Sequence, residues 1–572
     1  MSFETKLVSS LTKVYPDLVN GEAITKASVL KNEPFSFQVA FKNSDDEKWN
    51  SSFFIKIESD LDIKYISQYK VGYVPVISAG PVRKDEFYDR TTAGLYPDLL
   101  YKRNSESVVE NDGFWEPKFY EQNEKYQLIS IAGVYQSLWF TVNENGEKLN
   151  SGDYKIDIVF YSCSSGKEIT RESIQLKIID CELPEQELLY TSWFHCDCLA
   201  DLYNVEVFSD RHFEIIKSFV TEAAKTGMNM ILLPAFTPPL DTPVGKERLT
   251  VQLVKVIKEN NNYTFDFSLM KKYIDLCLEC GITHFEHCHL FTQWGARSAP
   301  KIMAYENGEL KQIFGWDTDS KSDEYRKFLK SYLRAVLPFF KEIGLKKENI
   351  FFHISDEPME KHLDYYKNAL EVVRDEIDGY PSGDALSHYK FFEDGSVSIP
   401  IVGVGSKEMD KFIENCDNFW VYYTGETLHS GLPNRILSTT GARNRILGTQ
   451  MYYTGAKGFL HWGYNYYYDV LSHGIFNPVQ NPSGYNATPG TSFMVYSNPD
   501  GTAIPSTRMK VFYEAINDYR ALQTLEKLIG REEVKKIIIE HFGEMTYRTC
   551  TQNDMLLEFR AKINERIISE IK

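Results

Sequence analysis

Two adjacent carboxylates, Asp356 and Glu357, end the apolar segment "NIFFHISDEP" (349–358). Most glycosidases place two carboxylates on opposite sides of the scissile bond, several ångströms apart, and sequence neighbours are poorly placed to do so. Neighbours suit substrate-assisted hydrolysis, in which the 2-acetamido oxygen of the sugar attacks. Asp356 would then hold the acetamido group, and Glu357 would protonate the leaving oxygen. Because residues before proline avoid the helical region, we expect Glu357 to be extended.

Acidic, histidine and aromatic side chains recur at the ends of other apolar segments. If these segments are the strands of one barrel, their carboxyl ends meet in one mouth. Flat rings and hydrogen-bonding side chains in one mouth suit a sugar, which has apolar faces and many hydroxyls. The candidate sugar-binding residues are His195, His289, Asp384, Tyr389, Trp420, Tyr423, Trp462 and Asn465, with the two tryptophans as pocket walls. Taken singly, such an acid is more often solvated and such a histidine more often packed.

Metal-ligating residue types occur in "HCDC" (195–198) and "HFEHCH" (284–289). Strand alternation turns Glu286 and Cys288 to one face and His287 and His289 to the other. A zinc site needs three or four converging ligands, so we expect no metal site here.

The elements that position these residues are short apolar strands that alternate with helical segments from residue 186 to residue 530. The predicted strands are 188–197, 228–236, 283–291, 349–357, 379–387, 399–405, 418–425 and 458–465. Amphipathic stretches at 209–227, 322–344 and 359–377 predict helices between them. Eight strands with interleaved helices predict a (β/α)₈ barrel. A helical extension, 531–572, follows.

Residues 1–185 alternate apolar and polar residues in short segments separated by turn residues. The segments are 33–43, 51–59, 136–146, 152–162 and 172–183. This spacing predicts an all-β sandwich. The chain is therefore expected to be a multidomain protein, with a sandwich at 1–185, a barrel at 186–530 and a helical extension at 531–572.

Composition excludes several functional classes. The chain has 572 residues, 43% of them hydrophobic, and a formal net charge of −17. Acidic proteins lack the basic face that nucleic acids or anionic membranes need. No segment approaches the roughly 20 apolar residues of a membrane span. The nine cysteines form no regular framework and the N-terminal residues include no signal-like apolar stretch, so we expect a cytoplasmic protein, or a secreted one if a signal has been removed.

The stretch "HISDEP" (353–358) resembles the catalytic signature of glycoside hydrolase family 123, the β-N-acetylgalactosaminidases. Residues 136–158, 455–467 and 505–525 are similar to its sandwich, its eighth strand and the end of its barrel. The resemblance implies a sandwich joined to a (β/α)₈ barrel, and release of terminal β-linked N-acetylgalactosamine with retention through an oxazolinium intermediate. It implies no metal and no organic cofactor.

The resemblance also implies residue roles. Asp356 stabilises the acetamido group, Glu357 is the general acid/base, and Tyr389 donates a hydrogen bond to the acetamido oxygen. The expected partner is a carbohydrate that ends in a β-N-acetylhexosamine.

Three alternatives stay open. A β-N-acetylglucosaminidase fits equally well, because the two sugars differ only at C4 and no residue can be assigned to that hydroxyl. A sugar-binding protein on the same scaffold would need no catalytic acid. An ordinary two-carboxylate glycosidase would use Asp384 or Glu286 as its nucleophile.

Overall fold

The computed structural model describes residues 3–43, 51–78, 84–103, 127–163, 165–260, 262–424, 431–485 and 488–572. The strands are β1 (Phe3–Ser9), β2 (Val14–Tyr15), β3 (Leu18–Val19), β4 (Lys26–Leu30), β5 (Phe35–Asn43), β6 (Ser51–Ser59), β7 (Ile66–Val76), β8 (Gly94–Lys102), β9 (Leu128–Ser130), β10 (Gln136–Val142), β11 (Gly152–Ser162), β12 (Glu168–Ile179), β13 (Leu189–Ser192), β14 (Met230–Leu233), β15 (Lys255–Glu259), β16 (Asn262–Asp266), β17 (His284–His287), β18 (Ile302–Glu306), β19 (Glu309–Phe314), β20 (Ile350–Phe352), β21 (Gly383–Leu386), β22 (Ile399–Gly403), β23 (Trp420–Tyr422), β24 (Gly458–His461), β25 (Tyr496–Ser497) and β26 (Ala503–Ile504).

The helices are α1 (Cys196–Tyr203), α2 (Asp210–Lys225), α3 (Ser268–Glu279), α4 (Asp323–Glu342), α5 (Leu363–Val373), α6 (Lys390–Glu393), α7 (Met409–Asn415), α8 (Gly441–Arg445), α9 (Leu447–Thr454), α10 (Thr507–Ile529), α11 (Arg531–Phe542) and α12 (Asn553–Glu570). In the part of the chain that the structure describes, none of them combines the length and the apolar character that a membrane span requires.

The chain divides into two compact units. The first unit comprises Met1–Glu185, His429–Tyr453 and Ile504–Lys572, and the second comprises Gln186–Leu428 and Thr454–Ala503. The domain limits expected from the sequence, at 185 and 530, remain predictions.

Two five-stranded sheets form the N-terminal part of the first unit. Their strand orders are β1-β5-β10-β7-β8 and β4-β12-β11-β6-β9. Both sheets contribute to one hydrophobic core, where the Phe41 ring of the first sheet meets the Phe53 ring of the second with their centres 5.0 Å apart. The prediction of a sheet-rich N-terminal region is therefore confirmed.

Eight parallel strands form the centre of the second unit. They are ordered β20-β17-β14-β13-β24-β23-β22-β21. A parallel bridge between Phe352 and Ser382 joins the two end strands, with Phe352 N–H donating to the Pro381 carbonyl at 2.9 Å. All eight predicted barrel strands are present in this one sheet, which is nearly closed. Gly425, the last residue of the seventh predicted strand, lies outside the described residues.

The barrel strands are shorter than the sequence predicts. β20 ends at Phe352 and β13 ends at Ser192, so Asp356 and His195 both lie beyond their strands. The apolar character of these segments continues past the last strand pairing because the following loops are also buried. The chemistry-bearing residues therefore lie on loops, and side-chain alternation along a strand does not determine where they point.

The predicted helices are present with small changes at their ends. Ser209 and Ser322 accept hydrogen bonds from His212 and Tyr325 at the starts of α2 and α4, as N-cap residues do. The helix predicted over 359–377 begins only at Leu363, after a single 3₁₀ turn. A four-stranded sheet, ordered β16-β15-β18-β19, is inserted after β14 and β17 and is absent from the sequence prediction.

Two glycines of neighbouring barrel strands give a matched test of strand packing. A Cβ at Gly383 would overlap the Ile399 carbonyl oxygen and lie 3.0 Å from the Phe351 ring. We expect Gly383→Ala to destabilise the protein by about 1–3 kcal/mol, the usual range for overpacking. The measurement is the midpoint of chemical unfolding.

Gly403→Ala is the matched control. Its new Cβ would meet the Tyr422 ring at 3.5 Å, an ordinary contact, so stability should stay the same or rise slightly. Equal midpoints for the two variants would contradict this account of the β21–β22 contact.

Candidate active site

A cavity of about 450 Å³ opens at the carboxyl ends of the eight strands. Its volume lies within the range of small-ligand sites. It is lined by Trp193, His195, Leu240, Asp241, Gln293, Trp294, Asp356, Glu357, Ala385, Tyr422, Thr424, Leu460, Trp462, Tyr466, Tyr485, Thr488 and Thr491. Of the residues selected from the sequence, four are in this wall: Asp356, Glu357, His195 and Trp462.

Asp356 and Glu357, the acid pair, are both partly buried in the cavity wall. The Tyr422 hydroxyl donates to Glu357 Oε1 at 2.9 Å. Within the described residues, the Asp356 carboxylate has no hydrogen-bonding or ion-pairing side chain, and so it is available to a ligand. Burial and the charge of Glu357 raise the pKa of Asp356 well above its usual range. Because neighbouring carboxylates resist ionising together, the pair keeps one proton over a wide pH range.

The backbone of the cavity wall is strained at the acid pair. Glu357 has a φ of 42°, in the left-handed region, so the prediction of an extended Glu357 is wrong. The chain turns at Glu357, and the Trp294 N–H donates a hydrogen bond to the Asp356 carbonyl at 2.8 Å. Trp294 and Asp241 are also left-handed, with φ of 57° and 44°. Such residues cost about 1–3 kcal/mol each and cluster at functional sites.

A buried chain of charges lies beneath the cavity. His353 makes a short hydrogen bond through Nε2 to Glu286 Oε1, and its Nδ1 donates to Asp384 Oδ1 at 3.1 Å. Burial alone would lower the pKa of His353, but the two carboxylates raise it to about 10. The Thr191 hydroxyl and the Trp193 indole N–H also donate to Glu286, at 2.6 and 2.7 Å. The three groups form a charged triad, Glu286–His353–Asp384.

Asp384 connects this triad to the loop that carries the acid pair. Its carboxylate accepts the backbone N–H groups of Ile354 at 3.1 Å and of Ser355 at 3.1 and 3.2 Å, and the hydroxyl of Tyr366. Asp384 and Glu286 are fully buried and neither lines the cavity. The structure therefore assigns Asp384 a positioning role instead of the predicted sugar contact.

His195 lies in the cavity wall as a neutral ring. The Arg248 guanidinium donates to its Nδ1 at 3.1 Å, so its proton lies on Nε2, which donates to the Trp462 carbonyl at 2.9 Å. Burial and the Arg248 charge lower the pKa of His195 to about 3. Asn465 bonds both backbone groups of His195, at 2.8 and 3.1 Å, and does not line the cavity itself. His195 thus offers a ring surface to a ligand and exchanges no proton.

Two predicted aromatic residues are buried away from the cavity wall. Trp420 lies deep in the barrel, with its ring 4.8 Å from that of Phe351 and in the space left by Gly458. Tyr423 packs on Phe459 and His461. Strand β23 directs Trp420 and Tyr422 to the same face, and Tyr422, one layer nearer the mouth, reaches the cavity.

Tyr389 and His289 are also outside the lining. The Tyr389 ring packs on Phe392 and Phe412 beside the barrel. His289 is fully buried and stacks on His353 with ring centres 4.5 Å apart. No hydrogen bond reaches either of its ring nitrogens from the described residues.

The predicted alternation after β17 is wrong, because this strand ends at His287. His287 forms a hydrogen bond with the Tyr332 hydroxyl at 2.8 Å. Trp193 contacts both Glu286 and His289, so the two residues that alternation placed on opposite faces share a neighbour. The described residues contain no group of three or more potential ligands arranged around a metal.

One carboxylate and three phenols of the wall were not among the sequence candidates: Asp241, Tyr422, Tyr466 and Tyr485. Tyr422 could have been found from the sequence, because it lies two residues after the selected Trp420 on the same strand and its side chain therefore points to the same face. Asp241 and Tyr485 lie in loops far from any strand end, and no local signal marks them.

Comparisons with known proteins give one family and one similar fold. The model of the glycoside hydrolase 123 catalytic domain matches residues 193–525. A family 123 glycoside hydrolase from Clostridium perfringens, studied for glycolipid glycan hydrolysis, aligns with 100% of this chain and 98% of its own, at 13% identity and a TM-score of 0.72. This likeness shows a shared fold.

A family 39 glycoside hydrolase from Bacteroides cellulosilyticus aligns with 69% of this chain and 75% of its own. Its identity of 10% and TM-score of 0.30 are too low to indicate a common overall fold. None of the curated proteins compared matches the sequence.

The charged triad gives a pH-dependent contribution to stability. The pKa of His353 is about 10 in the folded protein and about 6.5 in an unfolded chain, so the protonated ring stabilises the fold fully below pH ~6.5. This contribution is lost as the pH rises towards 10. We expect His353→Gln to reduce the unfolding free energy strongly at pH 6, and by progressively less as the pH approaches 10.

Chemical unfolding of both proteins from pH 6 to 10.5 measures this difference. The exposed His473, changed to Gln, is the matched control and should alter stability little at any pH. A deficit of His353→Gln that stays constant across the range would mean that the ring is neutral in the folded protein.

Proposed function

The chain belongs to glycoside hydrolase family 123, and we propose that it is a retaining exo-glycosidase that releases terminal β-linked N-acetylgalactosamine by substrate-assisted catalysis. Family membership makes the protein a glycosidase and its substrate a carbohydrate. The observation that carries the finer proposal is the acid pair, two sequence neighbours in one cavity wall. Among the described residues of that wall, Asp241 is the one other carboxylate.

We also infer the complete form of the fold. The eight parallel strands and the Phe352–Ser382 bridge support a closed (β/α)₈ barrel. The shared core of the two N-terminal sheets supports a β-sandwich.

In the proposed first step, the acetamido oxygen attacks C1 while the bond from C1 to the leaving oxygen breaks. Glu357 gives its proton to that oxygen. Asp356, ionised in this step and without a side-chain partner among the described residues, accepts the acetamido N–H and stabilises the positive charge that develops on the nitrogen. Before substrate binds, the raised pKa of Asp356 favours the shared proton on Asp356. The proposed step requires this proton to lie on Glu357 once the acetamido N–H donates to Asp356 and stabilises its charged form.

In the proposed second step, water attacks C1 and the bond from C1 to the acetamido oxygen breaks. Glu357 takes the proton of the water, which restores the starting state and retains the anomeric configuration. Tyr422 supports Glu357 here, because its hydroxyl donates to the carboxylate and favours the charged form. Since Tyr389 lies outside the cavity wall, we assign the phenol beside the reaction centre to Tyr422.

The proposed natural substrates are glycans or glycolipids with a terminal β-linked N-acetylgalactosamine. The fold shared with an enzyme studied on glycolipid glycans supports this class. The choice between the galacto and gluco sugars rests on the family resemblance.

Four aryl glycosides test the substrate class. We expect hydrolysis of the β-N-acetylgalactosaminide, slower hydrolysis of the β-N-acetylglucosaminide, and none of the β-galactoside or the α-N-acetylgalactosaminide. The acetamido group is required as nucleophile, and the anomeric configuration places it opposite the leaving group. Best activity on the β-galactoside would contradict the mechanism, and sugar binding without any turnover would favour a binding protein.

Glu357→Gln tests the acid. The change keeps the shape of the side chain and removes its proton, so kcat/KM for glycans with alcohol leaving groups should fall by about 10²–10⁴-fold. Aryl substrates with acidic phenols need less protonation and should lose less. Glu408→Gln, a glutamate outside the cavity lining, is the control. Equal losses across a leaving-group series, with bond cleavage rate-limiting, would remove Glu357 from this role.

Asp356→Asn tests the nucleophile. A thiazoline that mimics the oxazolinium should inhibit the wild-type protein far better than the free sugar does, because the site stabilises that species. The substitution should weaken this inhibitor and slow catalysis by about 10²-fold or more, since a preorganised charge is lost. An N-trifluoroacetyl substrate should also react slowly. A 2-fluoro sugar trapped as an ester on any carboxylate would refute the proposal.

A further inference from the structure

Asp241 has one carboxylate oxygen occupied and one that keeps acceptor capacity. Oδ2 accepts the Tyr466 hydroxyl at 2.8 Å and the Leu471 backbone N–H at 2.9 Å. Oδ1 has one described contact, the Tyr485 hydroxyl at 3.4 Å, which is longer than an ordinary hydroxyl hydrogen bond. A carboxylate oxygen can accept two hydrogen bonds, so Oδ1 can take a ligand hydroxyl in the cavity that Asp241 lines.

The backbone of Asp241 is held as firmly as its side chain. Its N–H donates to the Gln293 side-chain oxygen at 2.8 Å, and its carbonyl accepts the Ser472 hydroxyl at 2.8 Å. Its φ of 44° lies in the left-handed region, which aspartate tolerates better than most residues. These bonds fix the direction of the carboxylate before any ligand arrives, as recognition of a particular hydroxyl requires.

Asp241 adjoins an aromatic wall on the same cavity as the acid pair. The Trp462 ring lies 4.8 Å from the Tyr485 ring and 5.3 Å from the Tyr466 ring, measured between centres. Burial and the charges of Asp241 and Glu357 together raise the pKa of Tyr485, so this phenol lies near both carboxylates. Because Asp241 and the acid pair line the same cavity, a sugar that stacks on this wall with C1 at the acid pair would have Asp241 available to its other hydroxyls.

We propose that Asp241 selects the terminal sugar, by accepting through Oδ1 a hydrogen bond from the hydroxyl at C3, C4 or C6. The assignment rests on the proposed function for the identity of the sugar. A hydrogen bond to a charged group contributes about 10- to 100-fold in binding, and a hydroxyl held by a fixed acceptor distinguishes sugars that differ in that hydroxyl.

Asp241→Asn tests Oδ1 alone, because the hydrogen bonds at Oδ2 determine how the asparagine amide is oriented. Leu471 N–H can only donate, so the amide oxygen of the asparagine must take the Oδ2 position. The amide NH₂ then replaces Oδ1 and presents a donor where the native protein presents an acceptor. The shape of the side chain and its fit to the left-handed backbone are retained.

The test compares an aryl β-N-acetylhexosaminide with its 3-, 4- and 6-deoxy forms in both proteins. We expect the wild-type protein to lose about 10- to 100-fold in kcat/KM on one deoxy substrate. The Asp241→Asn protein, already slower on the parent, should lose less than about 3-fold on that same substrate, because the charged hydrogen bond is absent from it. Equal losses in the two proteins for all three deoxy substrates would overturn the assignment, as would a fluorosugar ester on Asp241.

Ser472→Ala is the matched control for a merely structural effect. It removes the bonds of the Ser472 hydroxyl to the Asp241 carbonyl and to the Tyr466 hydroxyl, and it leaves the described partner of Oδ1, Tyr485, unchanged. It should lower kcat/KM for the parent and the three deoxy substrates by one common factor. A loss of discrimination in Ser472→Ala as large as in Asp241→Asn would mean that loop position, and not Oδ1, sets the preference.

Calorimetry can compare how the wild-type and Asp241→Asn proteins bind free N-acetylgalactosamine and its deoxy forms. This binding measurement does not depend on turnover. If the wild-type protein hydrolyses no β-N-acetylhexosaminide, the proposed function fails, while the binding comparison still decides the role of Asp241. If the parent is hydrolysed and neither comparison shows coupling, the Asp241 assignment alone fails.

Discussion

The hydrogen bonds that Asp384 makes in the barrel interior hold the active-site wall together. A carboxylate removed from water is costly unless its lone pairs are used and a cation balances it. Here His353 supplies the cation, and Ile354 and Ser355 supply backbone donors immediately before the acid pair. The loop that carries the acid pair is therefore positioned by a buried charge in the barrel interior. Glu286 completes the balance from the other side of His353.

This arrangement separates the scaffold from the chemistry. The interior of the barrel holds the paired charges and the large rings, such as Trp420, whose partners are all protein groups. The loops above hold groups whose bonding capacity the described residues leave unused, such as the carboxylate of Asp356 and Oδ1 of Asp241. Left-handed backbone at Asp241, Trp294 and Glu357 occurs in those loops, where packing and hydrogen bonds on both sides compensate the strain.

In the proposed mechanism, the acid pair and the aromatic wall serve a sugar that supplies its own nucleophile. Two neighbouring carboxylates cannot both be charged readily, so one stays protonated beside an ionised partner. That state provides an acid and a counter-charge within one short stretch of backbone. The neutral ring of His195 and the indole of Trp462 add surface without adding a competing proton donor.

The sequence by itself determined the eight strands, the main helices and the acid pair, because hydrophobic period and residue type are local properties. It also placed His195 and Trp462 at the mouth. Only the tertiary structure decided that Asp384 lies beneath the site, that Tyr422 and not Tyr423 faces the cavity, and that Glu357 is left-handed. It alone brought Asp241 from a long loop to the cavity wall. The physical reason is that strand length, depth in the barrel and loop turns are set by contacts between segments distant in sequence, which no local pattern records.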